Sequence, residues 1–328
     1  MFDVRLSRYW VFMARFFFVS PRIARFEWFV LASLVVLAGC ATPRINYREV
    51  TPPAAAVLQP ITKSHPVVAL VLGGGASRGF AHVGVIKVLE QAGIVPDLIV
   101  GTSAGSFVGA LYAGNIDSVS LQAIAIEISQ SDLRDTVFPD RGFVRGELLQ
   151  DFINTRLDNR SIEQLNKRFA AVSTDLASGE SIAFNRGNTG MAVRASSAIP
   201  GVFQPVQING REYVDGGLVS PVPVRAARKM GADIVIAVDV SRKPAQHNAL
   251  KSMTDILRQA VSIMTKSVSA NEIGEADVII HPAVNEISAL DFERKMEALQ
   301  LGEQAAREVL PQIRELIRQK TRMVTASP

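Results

Sequence analysis

Residues 97–113 read DLIVGTSAGSFVGALYA, and they divide into three parts. The first four form an apolar, β-branched run. The last ten, AGSFVGALYA, have the small and apolar character of a packed helix. Between them stands Gly101-Thr102-Ser103, which with Ala104-Gly105 of the helix makes Gly101-Thr102-Ser103-Ala104-Gly105. A G-x-S-x-G between a strand and a helix is a nucleophile elbow, because small flanking residues permit the strained turn that lifts a serine Oγ clear of a sheet. The turn also leaves that oxygen beside the positive end of a helix.

Outward from this unit the same alternation continues. Strands are predicted at Val67 (VVALVLGGG) and over Asp97–Val100, Phe169–Ser173, Val206–Val214, Asp233–Val240 and Ala276–Pro282. Helical patterns fall at Phe80–Ala92, Ala104–Ala113, Ser118–Ser129, Glu147–Leu157, Val224–Lys229, Leu250–Ala270 and Glu293–Lys320. Short apolar strands alternating with helices signal an α/β fold, expected here as a three-layer α/β/α arrangement around a central, mostly parallel sheet. There is no internal repeat, and one domain over residues 66–322 accounts for the pattern, with a disordered tail at 323–328. The apolar stripes Leu250, Met253, Leu257, Met264, Val268 and Met296, Leu299, Ala306, Leu310, Ile313, Ile317 read as core faces. The second lies on a segment with equal numbers of acidic and basic residues, unlike the basic bias of a membrane-surface helix.

Composition narrows the chemistry. The chain has 328 residues, 48% of them hydrophobic, with four histidines and one cysteine. A disulfide framework is excluded, and no C-x-x-C or H-E-x-x-H spacing offers a zinc site; no metal or other cofactor is expected. The net charge of +4 is front-loaded: residues 1–39 hold five arginines against Asp3 and Glu27. The remainder is nearly neutral, so no clustered basic face for nucleic acid is expected.

Those first residues also hold both tryptophans, and they lead through the apolar run Trp28–Gly39 (WFVLASLVVLAG) to Cys40. The run has the length of a signal h-region and is short for a bilayer span. Leu37-Ala38-Gly39-Cys40 resembles a bacterial lipobox, so residues 1–39 are expected to be a signal peptide and Cys40 a lipidated N-terminus. Met13 is an alternative start. With Ala41 after the cysteine, the lipoprotein resemblance implies an anchor in the outer membrane. Residues 40–65, with prolines at 43, 52, 53 and 60, read as a tether that could reach about 80 Å fully extended.

Two further motifs carry candidate chemistry. Gly73-Gly74-Gly75-Ala76-Ser77-Arg78-Gly79 follows the first strand. Such a loop aims backbone N–H groups and a helix N-terminus at an anion. It lacks the third Rossmann glycine and the P-loop Gly-Lys-Ser/Thr, so the anion is expected to be one formed during a reaction. Asp215-Gly216-Gly217 follows VQINGREYV and reads equally as a hairpin turn or as a carboxylate set at a strand end. A serine needs an adjacent base. Asp215 is one candidate; a triad histidine, His247 or His281, is the other, and His82 reads as a packed or supporting residue.

Taken together and in this order, the chain resembles the patatin-like phospholipases. The resemblance covers most of Val67–Val240, including GFAHVGVIKVLEQAGI, STDLASGE (173–180) and RASSAIPGVFQPV (194–206). It implies a Ser-Asp dyad of Ser103 and Asp215, an oxyanion hole among Gly73, Gly74, Gly75, Ala76, Arg78 and Gly79, an elbow at Gly101 and Gly105, and an aspartate loop with Gly216 and Gly217. The loop here carries one more residue before Arg78-Gly79 than the plant-type G-G-G-x-R-G. The implied activity is hydrolysis of a phospholipid or other acyl ester. An acyltransferase and a catalytically silent envelope lipoprotein are the alternatives.

Overall fold

The computed structural model describes residues 51–56, 61, 63, 65–137, 141–242 and 253–326. The expected signal peptide, Cys40 and His247 lie outside the described residues. Residues 50–328 form one compact unit.

Its strands are β1 (Val68–Leu72), β2 (Leu98–Thr102), β3 (Arg168–Asp175), β4 (Ser181–Phe184), β5 (Val206–Ile208), β6 (Arg211–Asp215), β7 (Ile234–Val238) and β8 (Val278–Ile280). The helices are α1 (Phe80–Gln91), α2 (Ala104–Ala113), α3 (Ser118–Glu127), α4 (Glu147–Arg156), α5 (Thr189–Ser196), α6 (Val224–Lys229), α7 (Met253–Ile273) and α8 (Lys295–Ala326). All strands join one sheet in the order β5-β6-β3-β2-β1-β7-β8, with β4 also on β3. From β3 to β8 the ladder is parallel; β4 and β6 pair antiparallel with β3, and β5 antiparallel with β6.

The parallel strands are buried on both faces, which explains their unbroken apolar runs. In β1, Val68, Leu70 and Leu72 point into the larger core with α1, α2 and α8, while Ala69 and Val71 face the smaller core with Val224 and Ala227 of α6. This is the expected α/β/α layering.

Several elements differ from the sequence reading. The run Val206–Val214 is a hairpin, not one strand: Asn209 and Gly210 both take positive φ, 50° and 78°, as a two-residue primed turn requires. Strand β4 and helix α5 went unread because each is short; α5 depends on the Asn188 side chain accepting from Met191 N–H at its start. Helix α8 continues through Ala326, four residues into the expected tail. Its Leu299, Ala306 and Ile313 are buried, but Met264 of α7 is exposed and does not serve the core.

The tether also differs where it is described. Ala54 N–H donates to Arg186 O, and Ala54 O accepts from Asn185 and Arg186 N–H. The Asn185 side chain closes both polar groups of Ala56, and Thr51 O accepts from Asn188 N–H. Residues 51–56 are thus a strap bonded to the segment before α5, because Asn185 offers an amide that mimics a strand edge.

Candidate active site

The site follows from the edges of β3. Strands β2 and β4 overlap at Ala171 and Val172, so they occupy opposite edges; β4 and β6 overlap at Ser173 and Thr174, so they too are opposite. Hence β2 and β6 share one edge of β3. Thr102 of β2 pairs with Val172, and Asp215 of β6 pairs with the next residue, Ser173. The two strands arrive from opposite directions, and Ser103 and Asp215 meet in the gap.

There the Ser103 hydroxyl lies close enough to Asp215 to draw its carboxyl down, and Gly217 N–H donates to Asp215 Oδ1 at 2.7 Å. Both residues are buried. Burial pushes the Asp215 carboxyl up to about 6, against the pull of those two donors. Gly216 is demanded by the crossing itself: a Cβ there would stand 2.2 Å from Val172 O.

Ser103 holds φ 52° and ψ −123°, a strained backbone for a residue with a side chain. Its carbonyl accepts from Ser106 N–H, Phe107 N–H and the Ser106 hydroxyl, as the first turn of α2 requires. Its N–H donates to Ser196 Oγ at 2.9 Å, and Ser196 Oγ donates to Val172 O at 2.6 Å. Ser196 therefore satisfies the carbonyl that β2 abandons and fixes the elbow in one bond pair. Gly101 and Gly105 close the turn, because a Cβ on Gly105 would lie 2.0 Å from Leu72 O.

The glycine loop after β1 lies against this serine. A Cβ on Gly74 would be 3.4 Å from that of Ser103, and Ala76 lines the same cavity as Ser103. The bonding narrows the six residues expected there. Gly73 and Gly74 N–H groups donate to Val238 O and Pro221 O, so neither faces a ligand. Arg78 N–H bonds Gly75 O, and its buried guanidinium bonds Val240 O and Ile287 O; it braces the loop. Gly79 packs on Ala104 and starts α1. Gly75 and Ala76 N–H have no acceptor among the described residues.

The histidines take other places. Buried His82 donates from Nε2 to Gly73 O at 2.8 Å, and burial holds its pKa down at about 4, so the ring is neutral. His281, half-exposed, lies 3.5 Å from Asp239 at the end of β8. Three strand spacings, about 14 Å, separate β8 from β2. Sequence reasoning missed Ser196, Thr102 and Glu272. The Thr102 hydroxyl donates to Ser220 O, and buried Glu272 accepts from Ser220 Oγ and Arg225 N–H. Together they hold the turn that receives Gly74. The polar pair in RASSAIPG was the one available signal for Ser196.

A cavity of about 200 Å³ opens beside Ser103 and runs between α1, α2, α3 and α4. Val83, Phe107, Val108, Leu111, Leu121, Ile124, Ala125 and Leu149 make its walls apolar. Among the described residues no cluster of His, Cys, Asp or Glu converges on a metal position.

Comparison with known proteins places residues 70–228 in a match to the family described as patatin-like phospholipase. The chain is 36% identical over 220 residues to an uncharacterized NTE family protein of Mycobacterium tuberculosis, covering 66% of this chain and 61% of that one. It is 30% identical over 270 residues to lysophospholipase NTE1 of Meyerozyma guilliermondii, covering 73% of this chain and 19% of that one. The chain thus spans less than two thirds of these relatives. The crystal structure of VipD from Legionella pneumophila shares the fold, at a TM-score of 0.52 and 14% identity, over 84% of this chain and 72% of that one.

Ionised Asp215 costs stability. Its folded pKa of about 6 exceeds the ordinary 3.8, so stability falls as pH rises from about 4 through 6. The loss at neutral pH is on the order of 3 kcal/mol. Asp215→Asn keeps the acceptor and removes the charge, and should melt higher than the parent at pH 8 but not at pH 4, as calorimetry would read.

Proposed function

The chain belongs to the patatin-like phospholipase family, and from its site we propose that it hydrolyses the acyl ester of a phospholipid or lysophospholipid with a Ser103–Asp215 dyad. The observation that carries this reading is the Ser103 hydroxyl set beside a buried carboxylate and lining an apolar cavity.

Near neutral pH Asp215 is ionised and accepts the Ser103 proton as Oγ attacks the ester carbonyl. The Gly75 and Ala76 amides, left without acceptors, stabilise the tetrahedral oxyanion; each such donor lowers a barrier by about 2.7–4 kcal/mol. Collapse breaks the ester C–O bond, and the departing alcohol takes the proton from Asp215. Water, deprotonated by the same carboxylate, then attacks the acyl-serine and releases the fatty acid. The acyl chain occupies the cavity between α1 and α4, where burial of its methylenes contributes binding.

The N-terminal sequence extends the proposal: cleavage before Cys40 and acylation there would hold the enzyme on a membrane, the outer one in a two-membrane bacterium. Cys40→Ala should then leave the full chain unacylated and uncleaved, read by intact mass.

The decisive measurement is turnover of a soluble chromogenic ester. Ser103→Ala and Asp215→Asn should each lose activity by about a thousandfold or more, while His281→Ala stays near the parent. The parent's kcat/KM should fall with unit slope below about pH 6, where Asp215 takes up its proton. Activity retained in Asp215→Asn and lost in a folded His281→Ala would transfer the base to histidine; transfer to added alcohol in place of water would make the chain an acyltransferase. Ala125→Phe, which places a ring in the cavity wall, should cut turnover of long-chain esters by about tenfold or more relative to short-chain ones, read across a chain-length series.

A further inference from the structure

We propose that the rim of this cavity is a docking surface for a phospholipid bilayer, formed by Phe143, Ile199, Val202 and Leu290 around Arg134. These four apolar side chains are 56%, 38%, 37% and 61% exposed. Isolated exposed apolar residues need no explanation, but three of these are continuous with the interior cavity, and the fourth, Phe143, is bonded through its backbone to Val202. Ile199, Val202 and Leu290 each line the cavity that holds Ser103 while also facing outward. An unbroken apolar path therefore runs from the protein surface to the nucleophile.

The rim is built in advance of any ligand. Phe143 and Val144 N–H both donate to Val202 O, at 2.9 and 3.0 Å, and Gln204 N–H donates to Val144 O. Val137 N–H donates to Phe143 O at 2.9 Å, so Phe143 is presented from a main-chain lattice spanning two loops. The third loop is tied to the glycine loop: Ser77 Oγ donates to Ser288 O, and Ser77 N–H to Ala289 O. At these bonded positions docking would order no new backbone, which lowers the entropic cost of association.

Charge selects the occupant. Arg141 pairs with Glu212 and Arg145 with Glu147, whereas Arg134, which also lines the cavity, has no ion-pair partner among the described residues. A phospholipid surface supplies what this rim needs, apolar chains for the four side chains and phosphate for the one cation. A second copy of the chain docked about a two-fold axis would bring two such cations into one apolar contact, at a desolvation cost without compensation. The purpose of docking rests on the hydrolase reading, but docking itself needs no turnover.

The test uses the chain from Val50 onward, whose core is complete within one compact unit, carrying Ser103→Ala. It is sedimented with vesicles of phosphatidylcholine alone or mixed with phosphatidylglycerol. The chain should co-sediment with both. Phe143→Ser combined with Leu290→Ser should lower the partition coefficient at least tenfold. Arg134→Gln should weaken binding, more on the phosphatidylglycerol vesicles. Val95→Ser, an equally exposed site ahead of β2 at the other end of that strand, should change nothing. Phe143→Ser alone, whose side chain lies outside the cavity, should weaken vesicle binding while an otherwise active chain keeps its turnover of a soluble ester. It therefore separates a lost dock from a damaged fold. Failure of the parent to sediment, binding indifferent to the Phe143 and Leu290 changes, or equal loss in Val95→Ser would overturn the proposal. A chain that docks in this pattern yet cleaves no ester retains the docking surface and loses the hydrolase reading.

Discussion

One strand edge carries the whole site. Because β2 stops at Thr102 and β6 stops on the same side of β3 at Asp215, two residues distant in sequence become neighbours through consecutive backbone partners, Val172 and Ser173. Main-chain register, more rigid than any side-chain contact, sets their separation. The gap leaves one carbonyl, Val172 O, with no strand opposite it, and Ser196 fills that vacancy while gripping the elbow. A buried carbonyl without a partner would cost about 1–3 kcal/mol, so the device that satisfies the sheet also fixes the backbone of Ser103.

Around this edge the fold accepts unfavourable electrostatics. Asp215 is ionised where burial disfavours charge, and His82 is kept neutral where solvent would allow it a proton. Their effects oppose each other with pH. Below its ordinary range, down to about 4, buried His82 loses stability because the unfolded chain binds the proton it refuses; above about 4, Asp215 loses stability as its proton leaves. His82 also fixes Gly73 O, a bond the charged ring would keep, so the cost of acid lies in the buried charge set beside the glycine loop. Site geometry and acid tolerance are therefore coupled through one imidazole.

The alternation of apolar runs with helical patterns made the layering legible, since strands buried on both faces have no room for polar residues. Asp215 was ambiguous because Asp-Gly-Gly suits a hairpin as well as a strand end. The actual hairpin was one turn earlier, at Asn209-Gly210, inside what read as a continuous strand. Which loop amides stay unpaired was beyond the sequence, for it depends on Pro221 and Val238 carbonyls supplied by distant segments. The same limit hid Ser196 and Glu272: a serine in a short helix and an acid near the end of a long one declare nothing until their partners are in place.

The strap at residues 51–56 changes the mechanics of any anchor at Cys40. Bonded to Asn185, Arg186 and Asn188, it removes the distal part of the leash from play. If Cys40 were acylated, only residues 41–50 would separate it from the first bonded residue of the strap, a span of at most about 36 Å against roughly 80 Å for the whole linker. The volume open to an unstructured leash grows as the three-halves power of its length, so shortening one from about 25 residues to about 10 would confine the site to about a quarter of the space, where it would meet lipid correspondingly more often.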